Sequence, residues 1–266
     1  MPERSRIAAN GIAVSYRLEG PAGAPVIMLS NSFLTDYGMW DFQVPAFTAK
    51  YRVLRYDPRG HGDTQASPPP YSVDLLVADV VGLLDALGIG RVHFLGLSMG
   101  GVVGQLMASR HPDRLLSLLL SDTACHLPPE AAWDDRIALA TTKGTGAFVQ
   151  PMTTRWLTPA YYERHPEIVA KLGAMIAKTS VDGAIGCAQA LQKMNQSSIL
   201  RGIEVPTLII VGAHDVGTPV SAAKFLHREI EGSTLAIVDE AGHLSNIEQA
   251  ETFNRIVLDF LARLPS

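Results

Sequence analysis

The sequence predicts an α/β fold in which a doubly wound, mostly parallel sheet carries an N-terminal antiparallel hairpin and a helical insertion. Short apolar runs of strand length alternate with segments of helical period along most of the 266 residues, as in parallel sheets covered by helices. The dipeptide Asn10-Gly11 favours a two-residue hairpin turn near the start of the chain. Residues 124–200 break the alternation, because their apolar spacing is helical and no convincing strand interrupts it.

The strands are predicted from short apolar runs bounded by turn residues. A hairpin strand begins at Arg6, and its partner follows the Asn-Gly turn. The buried strands of the sheet are expected at 26–30, 52–56, 92–95, 116–121, 207–211 and 235–238. Their order along the chain, with helical segments between them, indicates parallel strands joined by crossover helices.

Two helices are predicted with particular detail. Segment 72–88 has a serine cap at Ser72, an early acid at Asp74 and a glycine stop at Gly88, which together delimit a crossover helix. The closing segment 247–264 should pack on the sheet, since one helical face carries Phe253, Ile256, Val257, Phe260 and Leu261. The predicted organisation is a core of residues 1–123 and 201–266 with a helical cap of residues 124–200.

The most informative motif is Gly96-Leu97-Ser98-Met99-Gly100, which follows an apolar strand and opens a helix. A serine on such a sharp strand-to-helix turn has strained backbone angles, and the flanking glycines remove Cβ atoms that would collide there. The turn exposes the serine hydroxyl at the start of the helix. Ser98 is therefore predicted to be a catalytic nucleophile.

A serine nucleophile needs a base and an acid that orients the base. Asp215 follows the predicted strand 207–211, and His243 follows the strand 235–238. Ser98, Asp215 and His243 thus each lie past the carboxyl end of a strand, in the chain order of an α/β-hydrolase triad. Asp215 could instead serve only as a helix cap. Asp122 is a rival acid, because it ends the neighbouring strand at the same edge of the sheet.

Acyl transfer also needs hydrogen-bond donors for the developing oxyanion. The backbone N–H of Met99, directly after the nucleophile, is the first predicted donor. The second is predicted to be the backbone N–H of Phe33, in the polar turn that follows strand 26–30.

With these residues assembled, the chain resembles the α/β-hydrolase superfamily over its full length and is most similar to 3-oxoadipate enol-lactone hydrolases. The similarity lies in residues 30–40, 51–62, 96–101 and 243–248, and the Ser-Asn-Ser and His-x-Ser-Asn-Ile-Glu stretches are the more specific of these. The resemblance implies an α/β-hydrolase fold and a serine-dependent opening of an unsaturated lactone in aromatic catabolism. A 3-oxoadipate lactone carries a free carboxylate, which the cap is then expected to recognise.

The residues expected to contact substrate lie in the predicted cap. Trp133 and Trp156 are candidate apolar walls of the pocket, and Arg136 and Arg155 are candidate partners of the carboxylate. A guanidinium binds a carboxylate with two parallel hydrogen bonds, which makes arginine the apt residue for this task. A solvated helix face is the alternative role of each arginine.

Composition and charge limit the classes of molecule that this protein is expected to bind. A formal net charge of −4 and the lack of a Lys/Arg cluster interleaved with aromatics argue against nucleic-acid binding. No apolar run reaches the roughly 18 residues of a membrane span, so a cytoplasmic protein is expected. The two cysteines lack the spacing of a metal or redox site, and no cofactor is expected. The predicted partner is a small ester or lactone.

Other functions remain open at this point. A broad carboxylesterase or perhydrolase, or another lactonase, would use the same three residues without needing a cation in the cap. A C–C bond hydrolase is a further alternative. A ligand receptor without enzymatic activity is the remaining alternative, since the fold alone never establishes an activity.

Overall fold

Eight strands form one sheet in the computed structural model, which describes residues 5–264. The strands are β1 (Ser5–Ala9), β2 (Ile12–Glu19), β3 (Val26–Ser30), β4 (Arg52–Tyr56), β5 (Val92–Leu97), β6 (Leu115–Ser121), β7 (Thr207–Gly212) and β8 (Thr234–Val238). Their spatial order is β1-β2-β4-β3-β5-β6-β7-β8. The ends of the predicted core, 1–4 and 265–266, lie outside the described residues.

Helices cover the sheet and fill the segment between β6 and β7. They are α1 (Val44–Phe47), α2 (Val73–Ala86), α3 (Met99–Arg110), α4 (Glu130–Lys143), α5 (Val149–Trp156), α6 (Pro159–Arg164), α7 (Pro166–Lys178), α8 (Val181–Gln192), α9 (Val220–Glu229), α10 (Ser245–Glu248) and α11 (Ala250–Leu261). Within residues 5–264, no helix is long and apolar enough to cross a membrane.

The sheet confirms the predicted α/β-hydrolase fold with its N-terminal antiparallel hairpin. Strands β1, β2 and β4 pair antiparallel, whereas every pair from β4 and β3 across to β8 is parallel. Asn10 and Gly11 both have positive φ, at 46° and 76°, which is the geometry of the tight hairpin turn expected from their sequence. The Ser72 side chain caps α2 by accepting a hydrogen bond from the N–H of Leu75 at 3.1 Å.

The register places the carboxyl ends of the parallel strands at one edge of the sheet. Leu97 of β5 lies beside Ser121 of β6, and Ser121 lies beside Ile210 of β7. The residues that follow these strands therefore emerge close together. In open α/β sheets this edge is where ligands bind.

Two elements differ from their sequence predictions. The closing segment is not one helix, because Gln249 leaves helical geometry at φ −127° and ψ 50° and separates α10 from α11. Phe253, Val257 and Leu261 of α11 are buried as expected. Strand β8 is not fully buried, since it is the edge strand and exposes 43% of Ile237.

The segment between β6 and β7 contains α4–α8 and contributes no strand to the sheet within the described residues. Helix α4 packs against α8, and α5 packs against α7. An ion pair between Lys171 and Asp41, at 2.8 Å, joins the segment to the loop between β3 and α1. A backbone hydrogen bond from the N–H of Ser180 to the oxygen of Gly60, at 2.9 Å, provides a second link.

Candidate active site

Ser98 occupies the turn between β5 and α3 with a φ of 55°, a region that non-glycine residues rarely adopt. Two hydrogen bonds to the next strand hold its backbone there. The N–H of Ser98 donates to the oxygen of Ser121 at 2.9 Å, and the Thr123 hydroxyl donates to the oxygen of Ser98 at 2.8 Å. Strain of this kind persists when neighbouring contacts determine the geometry, and it is typical of functional sites.

The glycines around Ser98 are required by close backbone approach. A Cβ on Gly96 would collide with the carbonyl of Gly100, and a Cβ on Gly100 would collide with the carbonyl of Ser30. A Cβ on Gly101 would come within 2.6 Å of the Thr123 side chain. The strand-to-helix turn of residues 96–100, the nucleophile elbow, therefore depends on close backbone packing that a side chain at these glycines would disrupt.

The Gly100→Ala substitution is expected to reduce the free energy of unfolding by about 2 kcal/mol or more, because the colliding atoms belong to the backbone and cannot change rotamer. Urea denaturation followed by circular dichroism measures this change. Gly90→Ala is the matched control, since a Cβ at Gly90 meets no atom within 4 Å. A Gly100 variant as stable as the Gly90 variant would contradict the expected collision.

Asp215 and His243 form a buried hydrogen-bonded pair. The Nδ1 atom of His243 lies 2.8 Å from an oxygen of Asp215, and because a carboxylate only accepts, Nδ1 carries the proton. Asp215 also accepts hydrogen bonds from the N–H groups of Gly217 at 2.7 Å and Thr218 at 3.0 Å, and from the Thr218 hydroxyl at 2.6 Å. Asp215 thus orders the turn before α9 and also contacts His243. Its contacts are therefore not limited to those of a helix cap.

The pKa values of this pair reflect burial opposed by mutual attraction. Burial alone would raise the pKa of Asp215, but the charge and hydrogen bond of His243 and the bonds from Thr218 lower it below its ordinary value. Burial would lower the pKa of His243, but the Asp215 carboxylate raises it above its ordinary value. Both directions describe a histidine whose protonated form is stabilised by Asp215.

Asp122, the rival acid, is placed differently. Its carboxyl group accepts hydrogen bonds from the N–H of Gly212 at 2.8 Å, the Ser121 hydroxyl at 2.7 Å and the Ser245 hydroxyl at 2.5 Å. None of these bonds involves His243. Burial and the nearby Asp215 charge raise the pKa of Asp122 to about 7. The structure therefore places Asp215, and not Asp122, against the histidine.

A cleft of about 70 Å³ brings Ser98 and His243 together with residues from α4 and α5. All four residues expected to contact substrate line it, namely Trp133, Arg136, Arg155 and Trp156. Sequence reasoning did not single out Ser32, Leu127, Leu191, Gly217 and Thr218, which also line the cleft. Leu127, which precedes α4, and Leu191 of α8 are far apart in the chain, and no motif in the sequence relates them to the cleft.

The two arginines of the cleft contact neutral groups, although the charge of Asp135 attracts Arg136. The Arg136 guanidinium stacks on the Trp133 ring at 4.5 Å and donates to the oxygen of Ala132 at 3.0 Å, while Arg155 donates to the oxygen of Val216 at 3.2 Å. Neither forms an ion pair within residues 5–264. Burial and the like charge of Arg155 lower the pKa of Arg136. An anion between these groups would relieve that repulsion.

The two predicted oxyanion donors, the N–H groups of Phe33 and Met99, donate no hydrogen bond to the part of the chain that the structure describes. Of the N–H groups of Ser32, Phe33, Leu34 and Thr35, only that of Phe33 donates no hydrogen bond to a described residue. The N–H of Met99, at the start of α3, also has no acceptor among residues 5–264. Both Phe33 and Met99 are nevertheless buried. Buried, unpaired N–H groups are rare and call for an acceptor.

The turn that carries His243 is hydrogen-bonded to the segment between β6 and β7 through contacts that the sequence did not predict. The N–H of His243 donates to the oxygen of Trp156 at 2.8 Å. The buried carboxylate of Glu248 accepts from the N–H of Gly242 at 2.7 Å and from the hydroxyl of Thr158 at 2.6 Å. Glu248 was recognisable in the sequence as part of the His-x-Ser-Asn-Ile-Glu stretch. Its partner Thr158, 90 residues away, was not recognisable.

Comparisons with known proteins agree with this geometry. A family model described as the alpha/beta hydrolase fold matches residues 25–150, and a model described as TAP-like protein matches residues 175–264. The chain is 38% identical to 3-oxoadipate enol-lactonase 2 of Acinetobacter baylyi over 96% of this chain and 95% of that protein. It is 31% identical to a protein of Stutzerimonas stutzeri provisionally named carbamate hydrolase RutD, over 93% of this chain and 96% of that protein.

A solved structure is equally similar. The crystal structure of the enol-lactonase from Burkholderia xenovorans LB400 superposes with a TM-score of 0.95 at 38% sequence identity. The superposition covers 97% of this chain and 100% of that chain. The similarity therefore extends over the sheet and over the helices between β6 and β7.

Proposed function

Because this chain belongs to the α/β-hydrolase family, we propose that it is a serine hydrolase that opens a carboxylate-bearing enol-lactone of the 3-oxoadipate enol-lactone type. The observation that carries the proposal is the cleft in which Ser98 and His243 face Arg136 and Arg155, two arginines that form no ion pair within the described residues. The relatives named enol-lactonases, at 34–38% identity, support the same substrate class.

In the first half of the proposed reaction, His243 takes the proton of Ser98 as the serine oxygen attacks the lactone carbonyl. Asp215 stabilises the resulting imidazolium, in keeping with the raised pKa of His243. The carbonyl oxygen becomes negative and accepts hydrogen bonds from the N–H groups of Met99 and Phe33. Collapse of the tetrahedral intermediate breaks the ring C–O bond and leaves an acyl-enzyme on Ser98.

In the second half, the expelled enolate takes its proton from His243 and becomes a ketone while the acyl chain remains tethered. His243, neutral again, removes a proton from a water molecule that attacks the acyl carbon. The second tetrahedral intermediate uses the same N–H donors and collapses to release the carboxylic acid and Ser98. One histidine thus acts alternately as base and acid.

We propose that residues 124–200 form a cap whose arginines bind the free carboxylate of the lactone. The Arg136 guanidinium lies over the Trp133 ring, with its central carbon 4.5 Å from the ring centroid, and such a contact limits the side-chain freedom lost on binding. The cleft of about 70 Å³ is smaller than the roughly 300–1,000 Å³ of most ligand pockets. We therefore propose that the cleft widens when the lactone binds.

The test of this function compares kcat/KM for 3-oxoadipate enol-lactone with that for a neutral p-nitrophenyl ester of similar length. We expect a Ser98-dependent preference for the lactone of about 10³ or more, which is roughly 4 kcal/mol of transition-state discrimination. Arg136→Gln and Arg155→Gln should each lower this preference by about 10- to 100-fold through loss of a charge-assisted hydrogen bond. Hydrolysis of the neutral ester should change little.

Arg164→Gln is the matched control, because Arg164 lies in the same cap on the exposed surface of α6. It should leave the preference unchanged. An equal or reversed preference in the wild-type enzyme would indicate a broad carboxylesterase or perhydrolase that uses the same triad. Preservation of the lactone preference in both cleft variants would exclude the arginines as carboxylate ligands.

Carbamate hydrolysis is a second candidate, favoured by the 31% identity to the protein provisionally named RutD. The same serine, histidine and oxyanion donors would serve it, with an amine leaving group in place of an enolate. Release of ammonia from carbamate at a rate above that of lactone opening would support this function. A C–C bond hydrolase would instead bleach a coloured dienone substrate.

A further inference from the structure

The turn that carries Phe33 is held in an unfavourable backbone conformation. The N–H of Thr35 donates to the oxygen of Ser32 at 3.3 Å and closes a four-residue turn. Leu34, the third residue of this turn, has a φ of 65°. Glycine or asparagine normally occupies such a position, because the Cβ atom of most other residues crowds the backbone there. An external contact must therefore keep Leu34 in place.

That contact is the imidazole of His61, which is fully buried. The Nε2 atom of His61 accepts a hydrogen bond from the N–H of Leu34 at 3.1 Å. The Nδ1 atom lies 3.0 Å from the oxygen of Arg59, and since a carbonyl only accepts, Nδ1 carries the proton. Nε2 is then the free acceptor of a neutral imidazole. Burial lowers the pKa of His61 to about 4, which keeps this tautomer neutral at ordinary pH.

The His61 ring also contacts the side chain of Phe33. The two rings meet edge to face with centroids 6.2 Å apart, and Phe33 in turn meets Trp133 of α4 at 6.0 Å. The imidazole of His61 therefore contacts both Leu34 and Phe33 and restrains their positions. The consequence is that the free N–H of Phe33 keeps a fixed position at the cleft.

We infer that His61 is a positioning residue for the oxyanion hole, acting through its hydrogen bond to Leu34 and its contact with Phe33. The inference rests on the proposed serine hydrolase function, in which the N–H of Phe33 stabilises the oxyanion. Without the acceptor, Leu34 can leave its strained conformation, and the N–H of Phe33 no longer has a defined direction. Transition-state stabilisation should then fall, while ground-state binding should not.

A pair of variants separates this role from simple packing. In His61→Asn, the side-chain amide can replace the Nδ1–H bond to Arg59, but it is too short to reach the N–H of Leu34. In His61→Gln, the longer side chain places an acceptor oxygen near the former Nε2 position. His93→Gln is the control for loss of a buried histidine, because His93 bonds Ser117 within the sheet and does not line the cleft.

The measurements are kcat, KM and the dissociation constant of an alkyl boronic acid, which forms a tetrahedral adduct with the nucleophilic serine. We expect His61→Asn to lower kcat and boronate affinity by about 10- to 100-fold each, with less than about a threefold change in KM. His61→Gln should recover most of both losses, and His93→Gln should show neither. Thermal melting by circular dichroism checks that each variant is folded.

Two outcomes would overturn the inference. In one, folded His61→Asn retains wild-type kcat and boronate affinity; in the other, His61→Gln is as impaired as His61→Asn. If the Asn variant does not fold, the Gln variant decides, since reduced boronate affinity at unchanged KM in a folded protein contradicts the expected rescue. Failure of the proposed function looks different, because Ser98→Ala would then retain activity and wild-type protein would not bind the boronate through Ser98.

Discussion

Replacing Ser98 with alanine is expected to lower kcat/KM for the lactone by about 10⁶, because the proposed reaction forms its acyl-enzyme on the Ser98 oxygen. Ser98 is the residue that the elbow presents at the carboxyl edge of the sheet, held at a φ of 55° by bonds to Ser121 and Thr123. Alanine at the same position keeps the backbone and removes only the oxygen. The loss therefore measures nucleophilic catalysis and not folding.

The decisive measurement is the initial rate of lactone opening by wild-type and Ser98→Ala proteins purified in the same way. Ser72→Ala is the control, because Ser72 caps α2 outside the cleft and affects only helix stability. Trapping the wild-type enzyme with a slow ester should add the acyl mass, and the added mass should be absent from Ser98→Ala. Activity of the alanine variant within about tenfold of wild type would overturn the serine mechanism.

Replacing Asp215 with asparagine is expected to lower kcat by about 10⁴, because an amide does not hold His243 in the tautomer that presents a free Nε2. The 2.8 Å bond between His243 Nδ1 and Asp215 is the contact that the substitution alters. The variant should also titrate differently. Since the Asp215 carboxylate raises the pKa of His243 against the effect of burial, its removal should move the acid limb of kcat/KM to lower pH.

Asp122→Asn is the matched comparison, as both acids are buried and both follow neighbouring strands of the sheet. Asp122 bonds Gly212, Ser121 and Ser245 but not His243, so its replacement should lower kcat by less than about tenfold. The acid limb should also move less than in Asp215→Asn. A larger loss in Asp122→Asn than in Asp215→Asn would identify Asp122 as the orienting acid.

Much of the chemistry could be predicted from the chain because of a simple property of parallel sheets. Each of the parallel strands ends at the same edge of the sheet, so the residues after β5, β7 and β8 all lie along that edge whatever their separation in the chain. Ser98, Asp215 and His243 were recognisable for this reason, and the structure brings the last two within hydrogen-bonding distance. Gly96 was equally predictable, since its Cβ would collide with Gly100 four residues away, whereas Gly100 and Gly101 are required by close contacts with Ser30 and Thr123.

The choice between Asp122 and Asp215 was not decided by the same rule, because both acids emerge at that edge. It depends on the turn formed by Gly217 and Thr218, which directs the Asp215 carboxylate toward the histidine. The hydrogen bond between Thr158 and Glu248 was likewise not expected from the sequence, because the two residues lie 90 positions apart. That contact joins the segment between β6 and β7 to α10 and therefore belongs to the tertiary structure.

The sequence by itself determined the alternation of strands and helices, the elbow at Ser98 and the edge at which the reactive groups gather. These features follow from the periodicity of apolar residues and from steric limits within a few residues. Only the tertiary structure decided which acid faces His243, which arginines share the cleft with Ser98, and that His61 supports the turn of Phe33 and Leu34. Such contacts join residues far apart in the chain, and their geometry arises from packing that no local pattern encodes.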